Sequence, residues 1–304
     1  MRKFEKPAIS ISDQVALLKR RGLVVKDVAG AEHCLTLISY YRLRPYWLPF
    51  EIRAQDDGDH AFREGTTFED VLTLYRFDQH LRRLVLDGIE PVEVALRAQW
   101  AHYMVTTYGP HGYLKEHLYH CATRYGQAVD VLTKQFRHSE DKFAEHYRQT
   151  YKSPPLPPAW MAAEVMSFGQ LLAWLLNLEH RQDKQAITRP FGLDQSVFTS
   201  FCGQLKDVRN ICAHHGRLWN RQFEKSIRLP KKKPVELAQA IQGAKQRRLH
   251  NTLAILNHLL GIVAPETPWR ERVTQLITDC PLADPLRMGF PTDWRIRPPW
   301  GLAD

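Results

Sequence analysis

Apolar residues recur every three or four positions along most of this chain, and such spacing is typical of helices that bury one face. The clearest case follows residues 67–70, which have the form of a capping box, and continues as a mostly apolar stripe from Val71 to Val85. No stretch of strand length alternates convincingly between apolar and polar residues. The pattern therefore predicts an all-α protein, most simply a helical bundle.

The helical pattern is interrupted often enough to predict separate elements. Helices are predicted between Ser12 and Gly22 and at residues 31–43, 67–87, 89–108, 160–178, 195–215, 235–260 and 269–279, with a further pair between residues 124 and 151. Gly88 is predicted to separate the helix at 67–87 from the helix at 89–108. A chain of 304 residues accommodates one large or two modest domains. We expect an N-terminal helical and aromatic subdomain at 1–65, the bundle at 66–264 and a tail rich in Pro and Trp at 265–304.

Charge and composition narrow the class of protein. The chain carries 42 Lys and Arg against 33 Asp and Glu, a formal charge of +9 that favours polyanionic partners such as RNA, DNA or acidic lipid surfaces. Its five scattered cysteines form no C-x-x-C pair, which indicates a reducing compartment. Residues 1–14 lack the apolar stretch of a signal peptide, and polar residues interrupt the most apolar run, 162–178. We therefore expect a cytoplasmic protein that does not use a membrane.

Several common chemistries lack their motifs in this sequence. There is no phosphate-binding G-x-x-x-x-G-K-[ST] loop, no G-x-G-x-x-G after a strand and no G-x-S-x-G elbow. These absences argue against a nucleotide-driven motor, a dehydrogenase and an α/β-hydrolase. His111, His117, His120 and Cys121 lie close together in sequence, but their spacing matches no common zinc pattern. No metal and no cofactor is expected, and a metalloenzyme built on the three histidines remains an alternative.

The most informative segment lies near the end of the helix predicted at 195–215. With Val208 and Cys212 on its buried stripe, Asn210 and His214 fall on the polar side, and Arg209 flanks the stripe on the other side. Asn210 is four residues before His214, within reach to orient the imidazole. A histidine beside a permanently charged arginine suits acid–base chemistry on a phosphodiester.

The helical geometry leaves one difficulty at this segment. Arg209 and His214 are about 140° apart on an ideal helix, so a straight helix would not direct both side chains to one phosphate. Two solutions are open. Either the helix ends or bends near Ala213, with Gly216 as the residue that follows its cap, or a second copy of the protein completes the site in a symmetric dimer.

These residues carry a resemblance to known proteins. Arg209-Asn210-x-x-x-His214 resembles the R-[polar]-x-x-x-H signature of the HEPN superfamily, all-helical domains that include metal-independent ribonucleases. The strings VRNICAHHGRLWNR, LISYYRLRPYWLPF and YRFDQHLRRLVLDGIEPVEVALR are similar to the abortive-infection (Abi) family of bacterial phage-defence proteins of the D/F type. The resemblance covers about residues 5–225 and excludes the tail after residue 265.

The resemblance implies a HEPN-type bundle and a metal-independent endoribonuclease acting in abortive infection. It assigns Arg209 and His214 to the catalytic pair and Asn210 to the polar position beside the arginine. Glu93 and Arg97 match an E-x-x-x-R-like element whose role is less defined, here counted among RNA contacts. The implied reaction is attack by the ribose 2′-OH on the adjacent phosphate, giving a 2′,3′-cyclic phosphate and a 5′-OH end. DNA lacks the nucleophile and should survive.

Further residues near the site have two interpretations each. Arg217 and Arg221 are expected to grip phosphates with Trp219 stacking on a base; the alternative packs Trp219 in the bundle and pairs Arg221 with an acid. His215 continues the apolar stripe, which predicts a core or interface histidine with a possible RNA contact. The runs at 231–233 and 247–248 are possible backbone contacts, although such runs are typical of solvated surface.

The rival function from another class is a non-catalytic RNA-binding module that grips a structured RNA in a defence or toxin–antitoxin system. Under either hypothesis the expected partners are RNA and a second copy of the chain. A toxin-like protein must also be held in check, so a cognate RNA or protein regulator is expected.

Overall fold

The computed structural model describes residue 3, residues 7–52 and residues 60–301. Within these residues the protein is all-α, as predicted, with thirteen α-helices and a single hairpin of two very short strands. The helices are α1 Ile11–Arg20, α2 Val28–Ile38, α3 Tyr40–Trp47, α4 Phe68–Tyr108, α5 Ala122–His138, α6 Lys142–Thr150, α7 Ala159–Val165, α8 Phe168–Asn177, α9 Arg181–Thr188, α10 Gln195–Ala213, α11 Val235–Ile241, α12 Leu249–Val263 and α13 Trp269–Thr278. The strands β1 Glu51–Ile52 and β2 Ala61–Phe62 pair antiparallel, with Glu51 opposite Phe62.

The chain divides into two compact units. The first comprises Met1–Leu81 with Leu276–Asp284, and the second comprises Arg82–Gln275 with Pro285–Asp304. In the first unit, α1, α2 and α3 pack around the buried side chains of Leu18, Leu43 and Trp47. The hydroxyl of Tyr46 donates a buried hydrogen bond of 2.6 Å to the carboxylate of Asp78, which satisfies both polar groups away from water.

The second unit contains the proposed site, and its core is built on α10. This helix packs against α8, α9 and α12, and it buries a stripe that includes Phe198, Phe201, Leu205 and Val208. The last part of the Pro- and Trp-rich tail, from Pro285, belongs to the same unit: the indole N–H of Trp300 donates to His250 Nε2 on α12 at 3.2 Å. Phe290, Trp294 and Trp300 are all buried. The core of the second unit therefore holds the buried side of α10 in place and leaves its polar side available for the proposed site.

The helix predicted to end before Gly88 in fact continues to Tyr108, so that prediction was wrong. α4 is one helix of 41 residues, and Gly88 is a packing position within it. A Cβ at Gly88 would lie 2.7 Å from Nε1 of Trp269, and that indole donates a 2.6 Å hydrogen bond to the carbonyl of Leu84. The glycine is required because the tryptophan occupies the space of a side chain. Pro91 removes one N–H from the helix without ending it.

Three helices predicted as single elements are each divided in two. Ser39, with φ of 71°, separates α2 from α3. Ser167 begins α8 with a capping box, two residues after α7 ends. Gly243, with φ of 73°, lies between α11 and α12. The N-cap of α1 is Ser10, two residues before Ser12, where the helix was predicted to begin, and α9 was not predicted.

Among the residues that the structure describes, no helix is both long enough and apolar enough to cross a bilayer.

Candidate functional site

The last two turns of α10 present one continuous solvent-facing side. Val208 and Cys212 are buried, whereas Arg209, Asn210 and His214 are all exposed. Around the helix, Ala213 falls between Arg209 and Asn210 as their i+4 and i+3 neighbour, and it is exposed as well. Because its side chain is only a methyl group, Ala213 leaves space on the surface between Arg209 on one edge of this side and His214 on the other.

The end of α10 places His214 at the point where the helix stops. His214 is the C-cap, and His215 follows with φ of 56° in the left-handed region. The N–H of Gly216 donates to the carbonyl of Ile211 at 2.7 Å and the N–H of His215 to that of Cys212 at 3.0 Å, which together form a Schellman motif. Helix α10 thus ends at Ala213.

Two local predictions at this helix end were wrong. The residue that follows the cap is His215 and not Gly216, whose place is set by a close approach: a Cβ there would lie 3.2 Å from the carbonyl oxygen of Ile211. His215 was predicted to continue the apolar stripe, but it is exposed. The helical periodicity ceases at residue 214, so His215 no longer points along the buried side.

The three proposed catalytic side chains make no hydrogen bond or ion pair with any residue that the structure describes. Asn210 therefore does not orient the imidazole of His214 here; it is the Asn210 carbonyl that accepts the His214 N–H, at 2.9 Å. Such groups keep their full hydrogen-bonding capacity for a ligand. The guanidinium of Arg209 offers five donors, and the amide of Asn210 offers both donor and acceptor.

Glu93 and Arg97 have partners within the protein. Arg97 forms a 3.0 Å ion pair with Glu93 and donates to the carbonyls of Ala163 at 2.8 Å and Met166 at 3.2 Å. Both side chains are largely buried, at 14% and 16% exposure. Arg97 thus caps the carboxyl end of α7, and its orientation ties it to the fold; RNA contacts by this pair stay an untested expectation.

The turn after α10 holds the next group of predicted residues. Trp219 is fully buried, so it packs in the core and is not available to stack on a base as predicted. Arg217 donates to the carbonyl of Asn220 at 3.4 Å, and Arg221 donates to that of Arg217 at 3.2 Å. Arg221 has no carboxylate partner among the described residues. The alternative interpretation predicted that Trp219 packs in the core, which is correct, and that Arg221 pairs with an acid, which is wrong among the described residues.

Sequence reasoning missed the residue that joins this turn to α12. Arg248 donates to the backbone carbonyl of Asn220 at 3.3 Å and to its side-chain Oδ1 at 3.2 Å. Asn220 has φ of 52°, a conformation that asparagine tolerates well. The paired Arg at 247–248 was the only signal in the sequence, and a run of two arginines does not identify its partner.

The histidines considered for a metal site do not converge. His111 Nε2 lies 3.4 Å from the Tyr147 hydroxyl, and His120 Nδ1 lies 3.0 Å from the carbonyl of Asn177. Across residues 3, 7–52 and 60–301, no group of three His, Cys, Asp or Glu side chains is arranged to hold a metal ion. The geometry therefore gives the metalloenzyme alternative no site.

Fold and site together define an all-helical protein that displays an arginine, an asparagine and a histidine at the end of a core helix. The model of the Abi-like protein family matches residues 33–220, more than half of the chain, and the chain belongs to this family. The family indicates a role in abortive infection, a form of phage defence. The match includes Arg209, Asn210 and His214 and ends at Asn220. Searches of curated proteins and of solved structures find no match to the chain.

Proposed function

We propose that the protein is a HEPN-type endoribonuclease of abortive infection that cleaves RNA without a metal ion. The observation that carries this proposal is the joint exposure of Arg209, Asn210 and His214 at the end of α10, inside the segment that matches the family. All three side chains are free of partners in the described chain, as a site that has to receive a substrate requires. The protein would act in the cytoplasm under a cognate RNA or protein regulator.

The proposed chemistry is an internal transesterification. The 2′-oxygen of a ribose attacks the adjacent phosphorus, the P–O5′ bond breaks, and the products are a 2′,3′-cyclic phosphate and a 5′-OH end. His214 accepts the 2′-OH proton or donates a proton to the leaving O5′, and Arg209 stabilises the charge of the phosphorane. Asn210 hydrogen-bonds the phosphate or the ribose beside them.

The proposal includes a homodimer whose site is shared between two copies. Arg209 and His214 occupy opposite edges of the exposed side of α10, so Arg209 of one copy and His214 of the other can face a common phosphate. Mixing inactive Arg209→Ala with inactive His214→Ala tests this. A shared site leaves one intact site in each mixed dimer and restores about a quarter of the activity. If mixing restores no cleavage activity, the site is not shared between copies.

Purified protein incubated with RNA in EDTA tests the activity. His214→Ala and Arg209→Ala should each lower the cleavage rate by about 100-fold or more while the helical circular dichroism spectrum stays unchanged. The chain supplies a matched control in His102, an exposed histidine. His102 lies five residues after Arg97, just as His214 lies five residues after Arg209. His102→Ala should cleave at the wild-type rate. Full activity in either site variant would refute the assignment.

The same experiment separates the non-catalytic alternative. An RNA-binding module would retain RNA that stays uncut, with affinity that falls steeply as salt rises. Sequencing of RNA ends in cells that express the wild type or His214→Ala extends the test to the natural target. Ends present only with the wild type are expected.

A further inference from the structure

The positive charge of the protein is concentrated in one stretch. Residues 217–248, here called the basic segment, contain ten Lys and Arg against two Glu and therefore carry +8 of the chain's formal +9. The other 272 residues are nearly neutral in sum. The match to the Abi-like family ends at Asn220, so almost all of the basic segment lies beyond the region that the family model matches.

The basic segment is folded against α10. The N–H of Phe223 donates to the carbonyl of Arg247 at 2.9 Å, and the N–H of Arg228 donates to the Ser200 hydroxyl at 3.0 Å. Phe223 and Leu237 are buried. Because Ser200 precedes the end of α10 by 13 residues, the segment returns along the helix for about 20 Å.

The basic segment follows the His214 edge of α10, on the opposite side of the helix from Arg209. On a helical wheel, Ser200 falls within about 40° of both Asp207 and His214. The basic segment therefore starts beside His214 and follows the same side of α10 towards its amino end. A strand bound along it would reach the proposed catalytic histidine at one end.

Three arginines of the segment are held in place without being neutralised. The Nη1 atom of Arg221, the Nε atom of Arg247 and the Nη1 atom of Arg248 donate to the backbone carbonyls of residues 217, 223 and 220. None of these three guanidinium groups has a carboxylate partner among the described residues. A carbonyl orients a guanidinium but leaves its charge and its remaining donors available to a phosphate.

The lysines of the segment extend the charged surface. Lys231, Lys232 and Lys233 are all exposed, and Pro230 and Pro234 flank them. An anionic membrane is the less suitable polyanion, because the only helix of the segment, α11, turns its apolar side chains Leu237, Ala240 and Ile241 into the core. A phosphate backbone requires only charge and donors, both of which the segment provides.

We propose that the basic segment binds the phosphate backbone of the nucleic-acid substrate and guides it along α10 to His214. The identity of that strand as RNA rests on the function proposed above. The contacts are to phosphates, so they carry no sequence preference and do not distinguish RNA from DNA. The segment supplies affinity, and the residues at the end of α10 supply the chemistry.

Fluorescence anisotropy with a labelled single-stranded RNA of about 20 nucleotides tests the proposal, in a His214→Ala background that leaves the RNA uncut. Lys231→Gln/Lys232→Gln/Lys233→Gln should reduce the slope of log K against log salt by about 2, since each phosphate contact to a single strand contributes about 0.7. At 0.1 M salt this corresponds to a loss of affinity of at most about 100-fold. Single-stranded DNA of the same sequence should bind comparably.

A matched control removes the same charge elsewhere in the same unit. Lys134, Lys142 and Lys152 are exposed lysines on and after α5 and α6, and Lys134→Gln/Lys142→Gln/Lys152→Gln should leave affinity and slope almost unchanged. Equal losses in the two triple variants would overturn the proposal, because net charge alone would then explain binding. Binding to vesicles of phosphatidylserine and phosphatidylcholine with no binding to RNA would also overturn it.

The outcomes separate this inference from the proposed function. Wild-type protein that binds RNA through the basic segment but never cuts it would refute the ribonuclease and leave the binding surface intact. Wild-type protein that cuts RNA while the 231–233 variant binds as tightly as its parent would refute the surface alone.

Discussion

A single methyl group added at Gly88 should destabilise the protein, although alanine is normally the better residue inside a helix. Gly to Ala in a helix interior usually stabilises by about 1 kcal/mol. Here the new Cβ would lie 2.7 Å from Nε1 and 2.9 Å from Cε2 of Trp269, a fully buried ring that cannot move without opening the core. Overpacking costs about 1–3 kcal/mol, and displacing the indole weakens its hydrogen bond to Leu84 by about 1 kcal/mol more. We expect a net loss of about 2 kcal/mol.

Urea unfolding followed by circular dichroism measures this loss, and Gly126 provides the control. Gly126 lies inside α5, and apart from its chain neighbours and the backbone of its own helix no described atom lies within 4 Å of the position that its Cβ would take. Gly126→Ala should therefore stabilise the protein by up to about 1 kcal/mol, opposite in sign to Gly88→Ala. If Gly88→Ala were as stable as the wild type or more stable, the tight packing of Trp269 on α4 would be refuted.

Three further predictions concern the tail, the buried ion pair and the exposed alanine. Burial lowers the pKa of His250 to about 4, so the contribution of this residue to stability is present above the usual histidine pKa of about 6.5 and is lost as the pH falls towards 4. Urea unfolding should therefore show about 2 kcal/mol less stability at pH 5 than at pH 8 from this group. His250→Gln should remove that part of the pH dependence. Arg97→Met should cost about 3 kcal/mol, measured by thermal unfolding, because it frees two carbonyls and leaves the Glu93 carboxylate unpaired, and equal stability would contradict the structural role of Arg97. Ala213→Leu should lower RNA cleavage at least about tenfold, with stability within about 0.5 kcal/mol of the wild type, because it fills the gap between Arg209 and Asn210 on an exposed side of α10; unchanged cleavage would show that the substrate does not cross this position.

The extent to which the sequence predicts the fold differs between helices and their ends. The apolar spacing is a property of each segment, so an all-α protein and most of its helices are predictable from it. The ends depend on single residues. Ser39 adopts a positive φ and Ser167 forms a capping box, and each divides a helix that periodicity alone extends. Gly88 resembles a helix end in the sequence, but its role depends on Trp269, which comes from a distant part of the chain.

The same distinction applies to the site. The exposure of Arg209 and Asn210 follows from the buried stripe of α10 and is predictable on a helical wheel. The exposure of His215 depends on the reversal of the chain in the Schellman motif. The glycine in the sequence predicts that reversal at residue 216, one residue after the position where it occurs. The burial of Trp219 depends on packing in three dimensions, and no local pattern distinguishes a stacking tryptophan from a core one.

The central claim is that Arg209 and His214 cleave RNA through its 2′-OH, and one substrate tests it most directly. A DNA oligonucleotide with a single internal ribose contains only one nucleophile of the required kind. We expect a single cut on the 3′ side of that ribose in EDTA, with a 2′,3′-cyclic phosphate detected by mass spectrometry and no cut by His214→Ala. Cleavage of the all-DNA strand, or a product without the cyclic phosphate or the 2′-phosphate or 3′-phosphate to which it hydrolyses, would contradict the account.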